Sequence, residues 1–110
     1  MKYFRLAKDC VGTCYHEFYR GKWDNKTYWN KTSLFLHEDI FTELELFKAF
    51  NECNEDYDPY GITEINRAQW EKVLSYSEKL SIEAKAVLNE IKPWINKVLQ
   101  EYGMFTILGI

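Results

Sequence analysis

Apolar positions along this chain change their spacing twice: an aromatic-rich, roughly alternating start gives way to helical spacing, which gives way to an apolar run at the end. Tyr3, Phe4 and Leu6 predict a first strand, residues 9–12 a turn, and residues 13–20 (TCYHEFYR) a second strand. Alternation along that strand puts Cys14, His16 and Phe18 on one face and Tyr15, Glu17 and Tyr19 on the other. Gly21-Lys22 turns the chain, and WDNKTYW supplies either a third strand or an irregular return, because Asp24-Asn25 is itself a turn signal. Residues 33–39 (SLFLHED) lead into a helix of about three turns on which Ile40, Phe41, Leu44, Phe47 and Phe50 recur at helical spacing.

After residue 61 the pattern is cleaner. Residues 61–65 predict a short extended piece, and Asn66 with Gln69 three residues on forms a capping box for a helix whose buried face is Trp70, Val73, Leu74 and Ser77. Ser81 starts another helix, buried through Val87, Leu88, Ile91, Trp94, Ile95, Val98 and Leu99, with Pro93 expected to kink or break it near Lys92. Tyr102-Gly103 is a C-terminal stop, and residues 104–110 read as a strand inside the sheet beside an N-terminal strand. The expected fold is one α+β domain over residues 1–110: an antiparallel sheet from the N-terminal strands plus the C-terminal strand, with about three helices packed on one face.

Composition adds that such a core is affordable: 46% of the 110 residues are hydrophobic and 17% aromatic, which argues against disorder. No stretch approaches the roughly 18 apolar residues of a membrane span, and the start lacks a signal-like apolar run. The odd count of cysteines (Cys10, Cys14, Cys53) favours reduced thiols, so a cytoplasmic location is expected.

Charge is spread unevenly along the chain. Residues 1–36 hold seven basic and three acidic residues, residues 37–64 hold nine acidic residues against Lys48 alone, and residues 65–110 are nearly balanced. The acidity peaks in residues 51–64, NECNEDYDPYGITE, where Glu52, Glu55, Asp56, Asp58 and Glu64 are interleaved with Tyr57 and Tyr60 and no Lys or Arg intervenes. Carboxylates steer a basic partner and aromatic rings anchor it, so these seven residues are the candidate partner-binding set, with Trp70 as a further anchor. The same block repels nucleic acid, which demotes the Lys- and Arg-bearing N-terminal third as a nucleic-acid surface.

Chemistry finds less support. Asp56, Asp58 and Gly61 match positions 1, 3 and 6 of a calcium loop, but Tyr60 and Arg67 fall where oxygen ligands are required. Cys10, Cys14 and His16 with His37 or Cys53 lack the paired spacing of a zinc site. No metal and no cofactor is expected. There is no nucleophile elbow and no Gly-rich phosphate loop. A small hydrolase or nucleotide-modifying enzyme using His16, His37 and a carboxylate is the rival reading, and a generic interaction adaptor is another.

Four pieces together, SLFLHEDIF, YDPYGITEI, the following Gln69-Trp70 pair and the terminal FTILGI, resemble a family of small bacterial immunity proteins of polymorphic or contact-dependent toxin systems. The resemblance spans most of residues 33–110 and includes no catalytic signature. It implies a non-catalytic cytoplasmic protein that binds and blocks a cognate toxin domain through that domain's basic surface. Many such toxins are nucleases or otherwise act on RNA, but no residue here carries the toxin's class.

Overall fold

A computed structural model of the chain describes residues 1–55 and 57–109. Five strands form one antiparallel sheet: β1 (Phe4–Arg5), β2 (Tyr15–Arg20), β3 (Leu34–His37), β4 (Ile62–Asn66) and β5 (Met104–Leu108), in the spatial order β1-β3-β2-β5-β4. Four helices, α1 (Glu38–Glu43), α2 (Leu46–Cys53), α3 (Arg67–Ser77) and α4 (Ile82–Tyr102), supply the other layer. Phe4, Phe18, Leu36, Ile65, Phe105 and Ile107 from the sheet share one core with Leu46, Phe50, Trp70, Val87, Ile91 and Ile95 from the helices. Fully burying each such side chain is worth about 1.5–3 kcal/mol, so the layers are held mainly by this one apolar contact. The α+β architecture is the expected one, and β5 lies inside the sheet between β2 and β4.

Local signals decide several boundaries. Asn66 accepts the Gln69 N–H at 2.9 Å while the Gln69 side chain accepts the Asn66 N–H at 2.8 Å, completing the capping box. Ser81 caps α4 through the Ala84 N–H, and Gly103, at φ 77°, closes it with an N–H bond to the Leu99 carbonyl. Such a left-handed terminus costs glycine little.

Three expectations are corrected. Residues 34–37 are a strand, because Leu34 and Leu36 enter the core in period two while the backbone pairs with β1 on one side and β2 on the other. The three-turn helix is two helices, broken at Glu45 in the left-handed region (φ 58°). At 100° per residue Leu46 lies about 140° around a helix from Phe41, so one straight helix could not bury both. The break resets the phase, and Leu46, Ala49, Phe50 and Cys53 then face the core at i, i+3, i+4 and i+7. Finally, α4 runs through Pro93 as a continuous 21-residue helix. Pro93 and Asn89 are both exposed, so the carbonyl that loses its helical partner lies on the wet side, where water can satisfy it.

Residues 21–33 are an irregular return rather than a strand. Asp24 Oδ1 accepts the N–H groups of Lys26 and Thr27 at 2.9 and 2.8 Å, and Asn25 takes a positive φ of 64°. This return covers part of the sheet's outer face: Trp29 stacks on Phe35 with centroids 4.8 Å apart, and the buried Glu17 carboxylate accepts the Trp29 and Asn30 N–H groups at 2.7 and 3.0 Å. No helix among the described residues is long and apolar enough to cross a membrane.

Candidate functional site

The described residues of the acidic connection between α2 and β4 are tied by hydrogen bonds. Tyr57 N–H bonds the Asn54 carbonyl at 3.1 Å, Gly61 N–H the Asp58 carbonyl at 3.0 Å, and Tyr60 N–H the Asp58 Oδ1 at 2.9 Å. Gly109, beyond β5, ties the loop to the sheet through a 2.7 Å bond from its N–H to the Gly61 carbonyl. There a Cβ would collide with the Pro59 carbonyl, so only glycine permits the approach.

The seven residues singled out from the sequence do not form one face. Glu55 and Asp58 are exposed on the loop, and Tyr60 projects from it at 75% exposure. Glu64 alternates with buried Thr63 and Ile65 and therefore lies on the outer face of the sheet. Glu52, in the last turn of α2, borders a shallow depression with Lys72 of α3 and Lys79 just beyond its end, on the helical side. Tyr57 is no exposed anchor: its ring packs in the core 6.3 Å from Phe41 and 6.1 Å from Phe50. Trp70, 1% exposed, is core as well. Asp56 lies outside the described residues.

Two concavities meet at Tyr60. The first, about 390 Å³, opens between α1, α2 and the loop; Phe47, Tyr57 and Tyr60 supply apolar walls, and Glu38, Thr42 and Asn51 supply polar groups. Glu38 opens α1 and is about one-third exposed. Its Oε2 bonds His16 Nε2, and its Oε1 accepts the Thr42 hydroxyl at 2.7 Å. His16 is fully buried in β2, its ring 4.3 Å from that of Phe41. Burial pushes its pKa below the usual value more than the Glu38 hydrogen bond and charge raise it, so the imidazole is neutral at pH 7 and donates from Nε2. His16 Nδ1 and the Tyr57 hydroxyl are buried with no hydrogen-bond partner among the described residues. Burial first, then the nearby Glu38 carboxylate, pushes the Tyr57 phenol pKa up.

The second concavity, about 470 Å³, lies on the sheet's outer face against Tyr15, Glu17, Tyr28, Trp29, Tyr60 and Leu108. Tyr28 is 58% and Trp29 39% exposed. Aromatic edges here are free to meet another surface, while Glu17 is occupied in holding the 21–33 return.

The histidines do not converge. Cross-strand pairing puts His16 beside Leu36 and His37 beside Tyr15, on opposite faces of the sheet. His37 instead caps α1, its Nδ1 accepting the Asp39 N–H at 3.0 Å, a capping role its position at the helix start suggests. Among the described residues no group of three or more His, Cys, Asp or Glu side chains is placed to hold a metal ion. Cys53 is buried with its Sγ on the Phe50 carbonyl, and Asp58 spends an oxygen on its own turn. Glu38 was not in the partner-binding set read from the sequence, where it is only a possible acid–base partner of His37, since its link to His16 spans 22 residues and exists only once α1 folds onto β2.

Compared with known families, curated proteins and solved structures, the chain matches none. What fold and site define is an antiparallel α+β domain whose loop end carries an exposed aromatic ring between two concavities with acidic neighbours.

Proposed function

We propose that this protein acts in the cytoplasm as an immunity protein, binding and neutralising a cognate bacterial toxin domain without turnover. The resemblance in residues 33–110 suggests the class, and the loop end supplies a physical means. The observation that carries the reading is Tyr60: 75% exposed, its backbone N–H bonded to Asp58, and shared by both concavities. An exposed aromatic ring beside carboxylates is the chemistry of an interface anchor, and Asp58 and Glu55 nearby would draw a basic surface toward it. The engagement of His16 and His37 in a buried pair and a helix cap favours binding over acid–base catalysis.

The test is co-expression in bacteria with the toxin domain encoded beside this protein's gene. Restored viability and a stable complex are expected. Continued killing with no complex at micromolar concentrations would overturn the reading.

A further inference from the structure

We propose that the pocket lined by Glu38, Phe47, Tyr57 and Tyr60 is a socket for one arginine side chain of a protein partner. The inference rests on the proposed toxin-binding function only for who that partner is.

Glu38 is paired to His16, and no Lys or Arg among the described residues forms an ion pair with it. Because the imidazole is neutral, His16 brings no positive charge to the carboxylate, which lines a largely apolar recess. A carboxylate has about four lone-pair sites, and the His16 and Thr42 bonds use one on each oxygen. Capacity for two further donors remains, on a one-third exposed group that lines the recess.

A second polar group points the same way. The Tyr57 hydroxyl is buried without a partner in a side chain only 9% exposed, and its ring lines this recess. A buried hydroxyl left unmatched costs about 1–3 kcal/mol, which an incoming donor would recover. The Asn51 amide adds an acceptor at the rim. Carboxylate, phenol oxygen and amide oxygen together suit a planar group with several N–H donors better than a compact ammonium. Tyr60 and Phe47 offer flat faces for a guanidinium to stack on. A volume of about 390 Å³ lies at the small end of ligand pockets, enough for one long side chain.

The experiment is an amide-resolved NMR titration of the full chain with N-acetyl-arginine methylamide, using the norleucine and lysine analogues and agmatine as comparisons. Saturable shifts at Glu38, Thr42, Asn51, Tyr57 and Tyr60 are expected for arginine, weaker ones for lysine and none for norleucine. Glu38→Gln should weaken arginine binding by at least about tenfold, as loss of a buried charge partner does. Asn51→Lys at the exposed rim should do the same if Glu38→Gln fails to fold. Equal shifts with norleucine, or wild-type affinity in Glu38→Gln or Asn51→Lys, would overturn the socket. Much tighter binding of agmatine than of the capped arginine would overturn a protein side chain as occupant. Toxin binding untouched by both variants would sink the socket and leave the toxin reading standing; arginine binding without toxin rescue would do the reverse.

Discussion

His16, at the centre of the sheet, donates its Nε2–H to the Glu38 carboxylate at the start of α1, and burial keeps this imidazole neutral. Its folded pKa is lowered from 6.5, so between those two values the unfolded chain binds more protons than the folded one. Stability should therefore be fully present above about pH 6.5, fall as pH drops through that value, and level off below the folded pKa. Urea denaturation of wild type and His16→Gln at a series of pH values isolates the effect, since other groups cancel in the difference. The wild-type midpoint should fall more steeply on acidification; parallel curves would mean that the imidazole is not held neutral.

The two-residue strand β1 is held from the helical side by Glu90 of α4. Its carboxylate accepts the N–H groups of Lys2, Tyr3 and Phe4 at 2.5, 2.9 and 2.7 Å. Glu90→Ala should cost about 1–3 kcal/mol, the penalty of leaving partly buried donors unmatched, and Glu90→Gln should recover part of it. Hydrogen exchange is the sharper readout: the amides of Tyr3 and Phe4 should lose protection in Glu90→Ala while those of β5 keep theirs.

Glu45 gives a test with an unusual sign. Its φ of 58° costs an L residue roughly 1–2 kcal/mol that glycine does not incur. Glycine's greater freedom when unfolded offsets about 0.4–1 kcal/mol of that gain. Both Glu45→Gly and Glu45→Ala lose the exposed Lys48 pair, itself worth at most about 1 kcal/mol. Glu45→Gly should therefore be more stable than Glu45→Ala by about 1 kcal/mol in thermal or urea unfolding. Were alanine the more stable, residues 38–53 would be better described as one straight helix.

That break also shows where the sequence was legible. Where a signal is local it could be read: the Asn66–Gln69 box, the Ser81 start, the Gly103 stop and the alternating faces of β2 are fixed by residues within a few positions of each other. The apolar end became an internal strand because a run buried on both sides needs neighbours on both sides. Residues 34–37 were read only as the lead into a helix, because a four-residue apolar run fits either period and pairing with β1 and β2 makes it a strand. At the site, composition located the acidic loop but not which side chains face out. Tyr57 was read as an anchor because chain position cannot reveal that its ring folds under onto Phe41 and Phe50. The Glu38–His16 and Glu90–Phe4 contacts carry no local signature at all, since each joins residues brought together only by packing.

The thiols should separate by environment. Cys14 is exposed, whereas burial pushes the buried Cys53 thiol up to about 11 and, to a smaller extent, raises that of Cys10. Only thiolate reacts with a disulfide reagent, so in native protein at pH 8 Cys14 should react first and Cys53 only as the chain unfolds. Mass spectrometry of the labelled peptides orders the three, and rapid native labelling of Cys53 would contradict its placement against the Phe50 carbonyl.

Charge at the loop end should govern how fast a basic partner arrives rather than how long it stays. Asp58→Asn keeps the oxygen that holds the Tyr60 N–H but removes the charge, and Glu55→Lys reverses an exposed charge with no such bond to lose. Each should slow association with the toxin domain several-fold and flatten its salt dependence, with little change in dissociation. Glu52→Lys should matter less, because Glu52 borders Lys72 and Lys79 on the helical side and its field is already partly neutralised. Tyr60→Ala should act oppositely, raising the off-rate by removing contact area while leaving the salt slope alone. Stopped-flow association at low salt and at about 150 mM, where fields are screened beyond roughly 8 Å, separates the two behaviours. Equal effects from Glu52→Lys and Glu55→Lys would mean that net charge, and not the Tyr60 end of the molecule, directs the encounter.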